Sequence, residues 1–156
     1  LIAERIEPLT HSKTRKKLTK SEKYLFFDLG VRRLAAREGA KLPRDTFGRL
    51  FEQFVGLELV RCAHAAHRPL AIRFWRDPDG PEVDWVIDDE GTYAPVEVKW
   101  TDNPRSGDIR HLEVFLDEYP SARAGYVVCH VPRKTKLSRR VVALPWQAID
   151  ELIPAS

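Results

Sequence analysis

Residues 81–100, PEVDWVIDDEGTYAPVEVKW, are the stretch that decides the fold. Apolar and polar residues alternate with a period of two on both sides of the run DDEG (88–91), which is typical of β-strands. The run itself has turn composition, so the stretch predicts a β-hairpin. The face expected to be apolar holds Val83, Trp85, Ile87, Val96, Val98 and Trp100.

The opposite face of this hairpin gathers Asp84, Glu97 and Lys99, with Glu82 nearer the strand start. Two neighbouring carboxylates repel each other and ionise at a cost unless a cation joins them. Magnesium suits such a place because it is hard, takes oxygen ligands and keeps several waters. A lysine beside the metal can hold a water or a phosphate oxygen, so these parts suffice for metal-assisted phosphodiester hydrolysis. The alternative interpretation is a structural ion pair between Lys99 and one acid on an exposed sheet face.

The composition predicts a single soluble domain. The chain has 156 residues, of which 43% are hydrophobic, enough for a core. No apolar run approaches the length of a membrane span and no signal peptide is visible, so a membrane protein is not expected. Cys62 and Cys129 lie far apart, so we expect reduced thiols and a cytoplasmic location. The chain begins at Leu1 and contains no methionine, so we expect a piece of a longer protein.

The basic residues are unevenly distributed. Two runs, within 13–23 and 133–140, hold 11 of the 26 Lys and Arg residues but 1 of the 23 Asp and Glu residues. Basic patches on an otherwise acidic body favour a phosphate backbone as partner, although solvated loops are the alternative interpretation. The expected nucleic-acid contacts in these runs are Lys16, Lys17, Arg133, Lys134 and Lys136.

The remaining patterns predict the order of the other elements. The longest helical pattern covers 44–67, and it carries Glu52 with Gly48 one turn earlier, where a glycine would let a strand or a ligand come close. No glycine-rich GxxxxGK[ST] loop occurs, so ATP binding of that kind is not expected. A helix between the hairpin and a buried strand forms a βαβ crossover, which predicts a mixed α/β fold with a partly parallel sheet. Strands are expected at 1–6, 23–27, 70–76, 123–130 and 139–144, and further helices at 29–38, 107–119 and from 145 onward.

Five segments carry a family resemblance. They are KYLFFDLG (23–30), GRLFEQFVGLEL (48–59), FWRDPDGPEVDWVI (74–87), PVEVKW (95–100) and LPW (144–146). A glutamate on a helix, then Asp84, then Glu97-x-Lys99 resembles the PD-(D/E)XK nuclease superfamily. In detail the chain resembles a domain of unknown function at the C-terminus of AAA-type ATPases. The resemblance implies a restriction-endonuclease-like α/β core, with a mixed sheet of about four to five strands flanked by helices.

The resemblance also implies roles for individual residues. Asp84, Glu97 and Glu52 would hold Mg²⁺ (or Mn²⁺), Lys99 would orient or activate water and stabilise developing charge, and Arg76 would contact a phosphate. It implies an upstream ATPase and a winged-helix-like module, of which residues 1–22 would be a remnant, with the nuclease-like domain at 23–156.

Three functions stay open from the sequence. The first is a metal-dependent nuclease with DNA as the expected substrate. The second is a catalytically inactive domain that binds nucleic acid or has a sensory role for the ATPase. The third is a structural or interaction domain whose acids and lysine form a network that supports the fold.

Overall fold

The computed structural model of the chain describes residues 3–9, 22–28, 30, 43–77 and 80–153. Most of the predicted loop 8–20 and the predicted helix 29–38 lie outside this part. None of the helices described is long and apolar enough to cross a membrane. The strands are β1 Ala3–Ile6, β2 Lys23–Phe26, β3 Leu70–Arg76, β4 Glu82–Asp89, β5 Thr92–Val98, β6 Gly125–Cys129, β7 Thr135–Lys136 and β8 Val141–Pro145. The helices are α1 Arg44–Ala65 and α2 Arg110–Glu118, and 3-10 segments cover Ser106–Ile109 and Trp146–Leu152.

A six-stranded mixed sheet, in the order β3-β4-β5-β6-β8-β7, is the centre of the fold. Strands β3, β4 and β5 are antiparallel neighbours, whereas β5, β6 and β8 run parallel. The connection from β5 through α2 to β6 is the predicted βαβ crossover, so the mixed α/β fold is confirmed. The sheet has more strands than the four to five expected, because the short β7 pairs with the edge of β8.

The predicted hairpin of β4 and β5 is confirmed. Trp85 pairs with Val96, and the ladder closes at Asp89 and Thr92. The two residues between the strands, Glu90 and Gly91, have φ angles of 50° and 90°. Positive φ at both positions matches the right-handed twist of the flanking strands, and glycine adopts it without steric cost.

A β-bulge interrupts the pairing of β4 with β3 at Asp84 and Trp85. Arg73 pairs with Val86 and Trp75 with Val83, so two residues of β4 lie opposite one residue of β3. The extra residue falls at Asp84 and Trp85 and breaks the strict alternation of faces. The sequence placed Val83 on the same face as Trp85, and this prediction is wrong. Val83 packs in the cluster on the α2 side of the sheet, whereas Trp85 packs in the cluster on the α1 side.

Two apolar clusters cover the two faces of the sheet. On one face α1 packs on β4 and β5 through buried residues that include Phe51, Val55 and Leu59. On the other face α2 buries Leu112, Phe115 and Leu116, and Ile109 of the preceding 3-10 segment is buried with them. The sheet is therefore a central layer between helices.

The close approach between α1 and the sheet occurs about two turns further along the helix than the sequence suggested. A Cβ built on Gly56 would lie 2.5 Å from Cζ2 of Trp85, whose side chain is fully buried. A Cβ on Gly48 would meet nothing within 4 Å, so no strand of the described fold approaches there. Gly56, rather than Gly48, lets the helix lie against β4.

The strands β1 and β2 form a separate two-stranded antiparallel sheet that joins the same core. Ile6 and Leu25 are buried in the α1-side cluster. The Leu9 N–H donates to the Phe74 carbonyl at 2.7 Å, so the chain after β1 is also held by β3. The division at residue 22 into a remnant and a nuclease-like domain stays a prediction.

Candidate active site at the hairpin

Asp84 is held at the bulge by backbone contacts. The Val98 N–H of β5 donates to Asp84 Oδ2 at 2.9 Å, across the hairpin. The Asp84 carbonyl accepts a hydrogen bond from the Lys23 ammonium at 3.2 Å. Asp84 lies at the bulge, just beyond the last pair of the β4–β5 ladder, and its carboxyl is buried there.

Glu97 and Lys99 lie beside Asp84 at the end of β5. The Lys99 ammonium pairs with Glu97 Oε1 at 2.9 Å, and the side chains are 35% and 8% exposed respectively. The second oxygen of the carboxylate, Glu97 Oε2, is buried and has no hydrogen-bond partner among the described residues. The Lys99 N–H donates to the Val128 carbonyl at 3.0 Å, which fixes this end of β5 against β6.

Burial is the largest cause of the pKa shifts of the two carboxyls in this site. Burial raises the pKa of the Asp84 carboxyl to about 8, and the negative charges of Glu97 and Glu52 add to this against Lys23 and the Val98 N–H. Burial also raises the pKa of Glu97, although Lys99 opposes the shift. Burial lowers the pKa of Lys99, but its hydrogen bond to Glu97 and the charges of Glu97 and Asp84 outweigh this effect, so the net shift is upward. These shifts favour the ammonium form of Lys99 and the protonated form of Asp84 in the metal-free protein.

Glu52 lies near Asp84 but forms an ion pair with Lys23, which the sequence did not indicate as a site residue. The Lys23 ammonium donates to Glu52 Oε1 at 2.6 Å, and both side chains are about a quarter exposed, at 26% and 28%. The same ammonium lies 4.6 Å from the ring centroid of Trp85. The sequence places Lys23 in a basic run that favours a phosphate backbone or forms a solvated loop, whereas the structure pairs it with Glu52. Its position in the strand KYLFF is the sequence signal for a place against the core.

A divalent cation fits the donors present. Asp84 and Glu97 offer hard carboxylate oxygens, the buried Oε2 of Glu97 has no hydrogen-bond partner among the described residues, and the pKa of Asp84 is raised by burial first and then by the charges of Glu97 and Glu52. No group of three or more His, Cys, Asp or Glu side chains able to hold a metal occurs in the part of the chain described. Magnesium is commonly bound by one or two carboxylates with waters completing its shell, so two carboxylates are sufficient. Glu52 adds charge nearby while paired with Lys23.

The residues expected to contact nucleic acid have different surroundings. Arg76 pairs with Glu82 through Nη2 at 2.8 Å, and both side chains are half exposed. Lys134 pairs with Glu151, so its charge is partly matched. Arg133 and Lys136 are exposed, and neither forms an ion pair within the described residues. Lys16 and Lys17 lie outside those residues.

In the folded chain, acidic side chains of α2 lie against the second basic run, 133–140. Arg140 lies 2.7 Å from both Glu113 and Asp117 of α2, so its charge is matched across the fold. The run that looked uninterrupted in sequence therefore presents fewer unmatched charges than its composition indicates.

Comparison with known proteins identifies the family. The model of a domain of unknown function (DUF4143) matches residues 47–149. A search among curated proteins finds no match. A solved structure of a half-complex from the tetradecameric assembly of Thermococcus gammatolerans McrB AAA+ hexamers with bound McrC is similar over 62% of this chain. The sequence identity is 18%, the TM-score is 0.44, and the match spans 26% of that chain.

Proposed function

The chain belongs to the DUF4143 family of domains of unknown function, and we propose that it hydrolyses phosphodiester bonds of nucleic acid, with DNA as the expected substrate. The single observation that carries this proposal is the arrangement of Asp84, Glu97 and Lys99. Two neighbouring carboxyls, both with a raised pKa, lie beside an ammonium that stays protonated. A structural ion pair would match one acid with one base, whereas here, among the described residues, Asp84 has no ion-pair partner and the buried Oε2 of Glu97 has no hydrogen-bond partner.

In this proposal Asp84 and Glu97 hold Mg²⁺ or Mn²⁺. The bound cation would supply Lewis acidity and a nucleophilic water at neutral pH. The hairpin fixes the spacing of the two carboxyls through the bond from the Val98 N–H to Asp84, so little reorganisation is needed when a cation replaces the Asp84 proton. Glu52 takes part as an outer ligand through a water or by its charge.

Lys99 acts as a fixed positive charge in the proposed reaction. Because its pKa lies above the ordinary value, it is a poor base at neutral pH. Its ammonium would instead contact a non-bridging phosphate oxygen and stabilise the charge that develops there in the transition state. The pair with Glu97 at 2.9 Å orients the ammonium before substrate arrives.

The resemblance noted in the sequence supports further proposals about context. We propose that the domain works beside an AAA-type ATPase in the full-length protein, and that it acts in the cytoplasm. Arg133 and Lys136 would contact the phosphate backbone, since each is exposed on the described surface. Arg76 and Lys134 would contribute less, because Glu82 and Glu151 compete with phosphate for their charges.

One observation favours a second candidate function. Glu52 is paired with Lys23, and no cluster of three metal-binding side chains is assembled in the described ranges. A domain that binds nucleic acid without cleaving it, and serves the ATPase as a sensor, is compatible with such a site. It would bind through its basic residues with strong salt dependence and give no product.

A cleavage assay separates the two candidates. Labelled single-stranded and duplex DNA and RNA are incubated with the protein and Mg²⁺, Mn²⁺ or EDTA, and products are resolved on a gel. We expect products with either metal and none in EDTA. Asp84→Asn and Lys99→Met should lose at least about a hundredfold in rate, the range seen when a charge-stabilising donor is removed, and Glu58→Gln on the outer surface of α1 is the matched control. Absence of products under every metal, with the protein folded, would contradict hydrolysis and leave the binding function.

A further inference from the structure

An exposed indole lies next to the candidate active site. Trp100 follows Lys99 directly, and 53% of its surface is exposed, although the residue continues the apolar face of β5. Phe47 at the start of α1 is also exposed, at 39%. Isolated exposed apolar residues are common, but two large rings in mutual contact beside a charged site are characteristic of binding surfaces.

The two rings form a supported surface. The rings of Phe47 and Trp100 stack with centroids 5.7 Å apart. The rings of Phe51 and His130 lie beneath them in edge-on contact with the indole, with centroid distances of 5.3 Å and 4.3 Å respectively. Phe51 and His130 in turn stack on each other at 4.9 Å. We call Phe47, Phe51, Trp100 and His130 the aromatic platform.

The backbone that carries the aromatic platform is fixed by hydrogen bonds. The His130 N–H donates to the Thr101 carbonyl at 2.8 Å, and the Thr101 N–H donates to the Lys99 carbonyl at 2.9 Å. These bonds join the carboxyl ends of the parallel strands β5 and β6, the edge of an α/β sheet where ligands usually bind. An immobile ring loses little entropy when a partner stacks on it.

The charges around the aromatic platform match those of a nucleic-acid strand. Consecutive side chains at a strand end point in opposite directions, so Lys99 faces the carboxyls while Trp100 faces α1. Arg133 is exposed three residues after His130. Aromatic rings together with cations suit unpaired bases and phosphates, since every base has a π-face.

We propose that the aromatic platform binds an unpaired nucleobase, so that the substrate class is single-stranded or locally unpaired nucleic acid. This proposal rests on the proposed function, because the phosphate next to the stacked base would be the one presented to Lys99. A base within a duplex is already stacked on its neighbours and is not available to Trp100. The domain therefore engages strands that are open, frayed or separated by a partner.

Binding in EDTA tests the proposal without requiring cleavage. Fluorescence anisotropy measures the affinity of a labelled oligothymidylate, the same oligonucleotide with abasic sites, and a duplex of equal length. Trp100→Leu should weaken binding of oligothymidylate by about 5- to 150-fold, the range that one base–aromatic stack supplies. Binding of the abasic strand and the slope of affinity against salt should not change. Trp100→Phe should recover most of the loss, because it keeps a π-face.

A matched control is Tyr24→Leu, which replaces another ring that is 50% exposed but belongs to the two-stranded sheet. It should leave all three affinities unchanged. Equal binding of oligothymidylate by the protein and Trp100→Leu would overturn the proposal, as would an equal loss on the abasic strand. A dimer that dissociates on Trp100→Leu would also overturn it, since the surface would then join two copies. If oligothymidylate binding depends on Trp100 but no cleavage occurs, only the proposed hydrolysis is refuted. If Trp100→Leu cleaves at an unchanged rate, only the proposed role of the aromatic platform is refuted.

Discussion

Replacing Lys23 by methionine tests how the two-stranded sheet is joined to the candidate active site. The substitution keeps an unbranched side chain of similar length and removes the ammonium. The ammonium loses its ion pair with Glu52 at 2.6 Å and its hydrogen bond to the Asp84 carbonyl at 3.2 Å. It also loses its cation–π contacts, at 4.6 Å from the Trp85 ring centroid and 5.6 Å from the Phe74 ring centroid.

The magnitude follows from the burial of these groups. An exposed ion pair contributes about 0–1 kcal/mol and the loss of one partner from a buried pair costs about 3–5 kcal/mol. With Lys23 and Glu52 at 26% and 28% exposure, this pair lies between those limits. The cation–π contact contributes about 1 kcal/mol. Since these terms are not additive, we expect Lys23→Met to lower the free energy of unfolding by about 2–3 kcal/mol. A domain of this size should melt about 5–10 °C lower.

Urea unfolding followed by tryptophan fluorescence measures the change. Arg61→Met is the matched control, because it removes a guanidinium from the outer surface of α1, where Arg61 pairs with Glu58 at 2.7 Å while 64% exposed. We expect no measurable shift of its midpoint. If Lys23→Met unfolds at the same urea concentration as Arg61→Met, the ion pair with Glu52 does not hold β2 to the site, and the reasoning fails.

Two further predictions concern packing and charge. Gly56→Ala should be less stable than Gly48→Ala by about 1–3 kcal/mol in urea unfolding. Both substitutions gain the same helix propensity, but only Gly56→Ala forces a methyl group against Trp85. Equal stabilities of the two variants would contradict the close approach of α1 to the sheet. Asp84 has a folded-state pKa of about 8 against an ordinary 3.8, so its contribution to the stability of the metal-free protein is full below pH 4 and is lost as the pH rises through 8. Thermal melts in EDTA should therefore show a fall in stability over this range that Asp84→Asn flattens, whereas parallel curves for the two proteins would show that the carboxyl is not buried as described.

The sequence was sufficient for features that depend on local periodicity. The alternation on both sides of DDEG placed the hairpin, and the spacing of Asp84, Glu97 and Lys99 placed their side chains at one strand end. The structure brings these three together. Their role as a metal site remains a prediction, as does the contribution of Glu52.

Features that depend on contacts distant in sequence could not be predicted. The bulge that moves Val83 to the other face arises from the register between β3 and β4. No residue type in β4 indicates a bulge at that position. Lys23 lies 61 residues before Asp84, so its contact with the site depends on how the two-stranded sheet docks. The strand β7 is a two-residue pairing at a sheet edge, too short to leave a pattern.

The central claim is that Asp84 and Glu97 bind a divalent cation, and calorimetric titration with Mn²⁺ tests it most directly. The protein is titrated beside Asp84→Asn and the surface control Glu58→Gln. We predict one site whose affinity rises between pH 6 and pH 8, because the cation must displace the Asp84 proton. Asp84→Asn should weaken this binding by at least about tenfold, and Glu58→Gln should not. Equal affinity in all three proteins, or no heat of binding in any of them, would contradict the account.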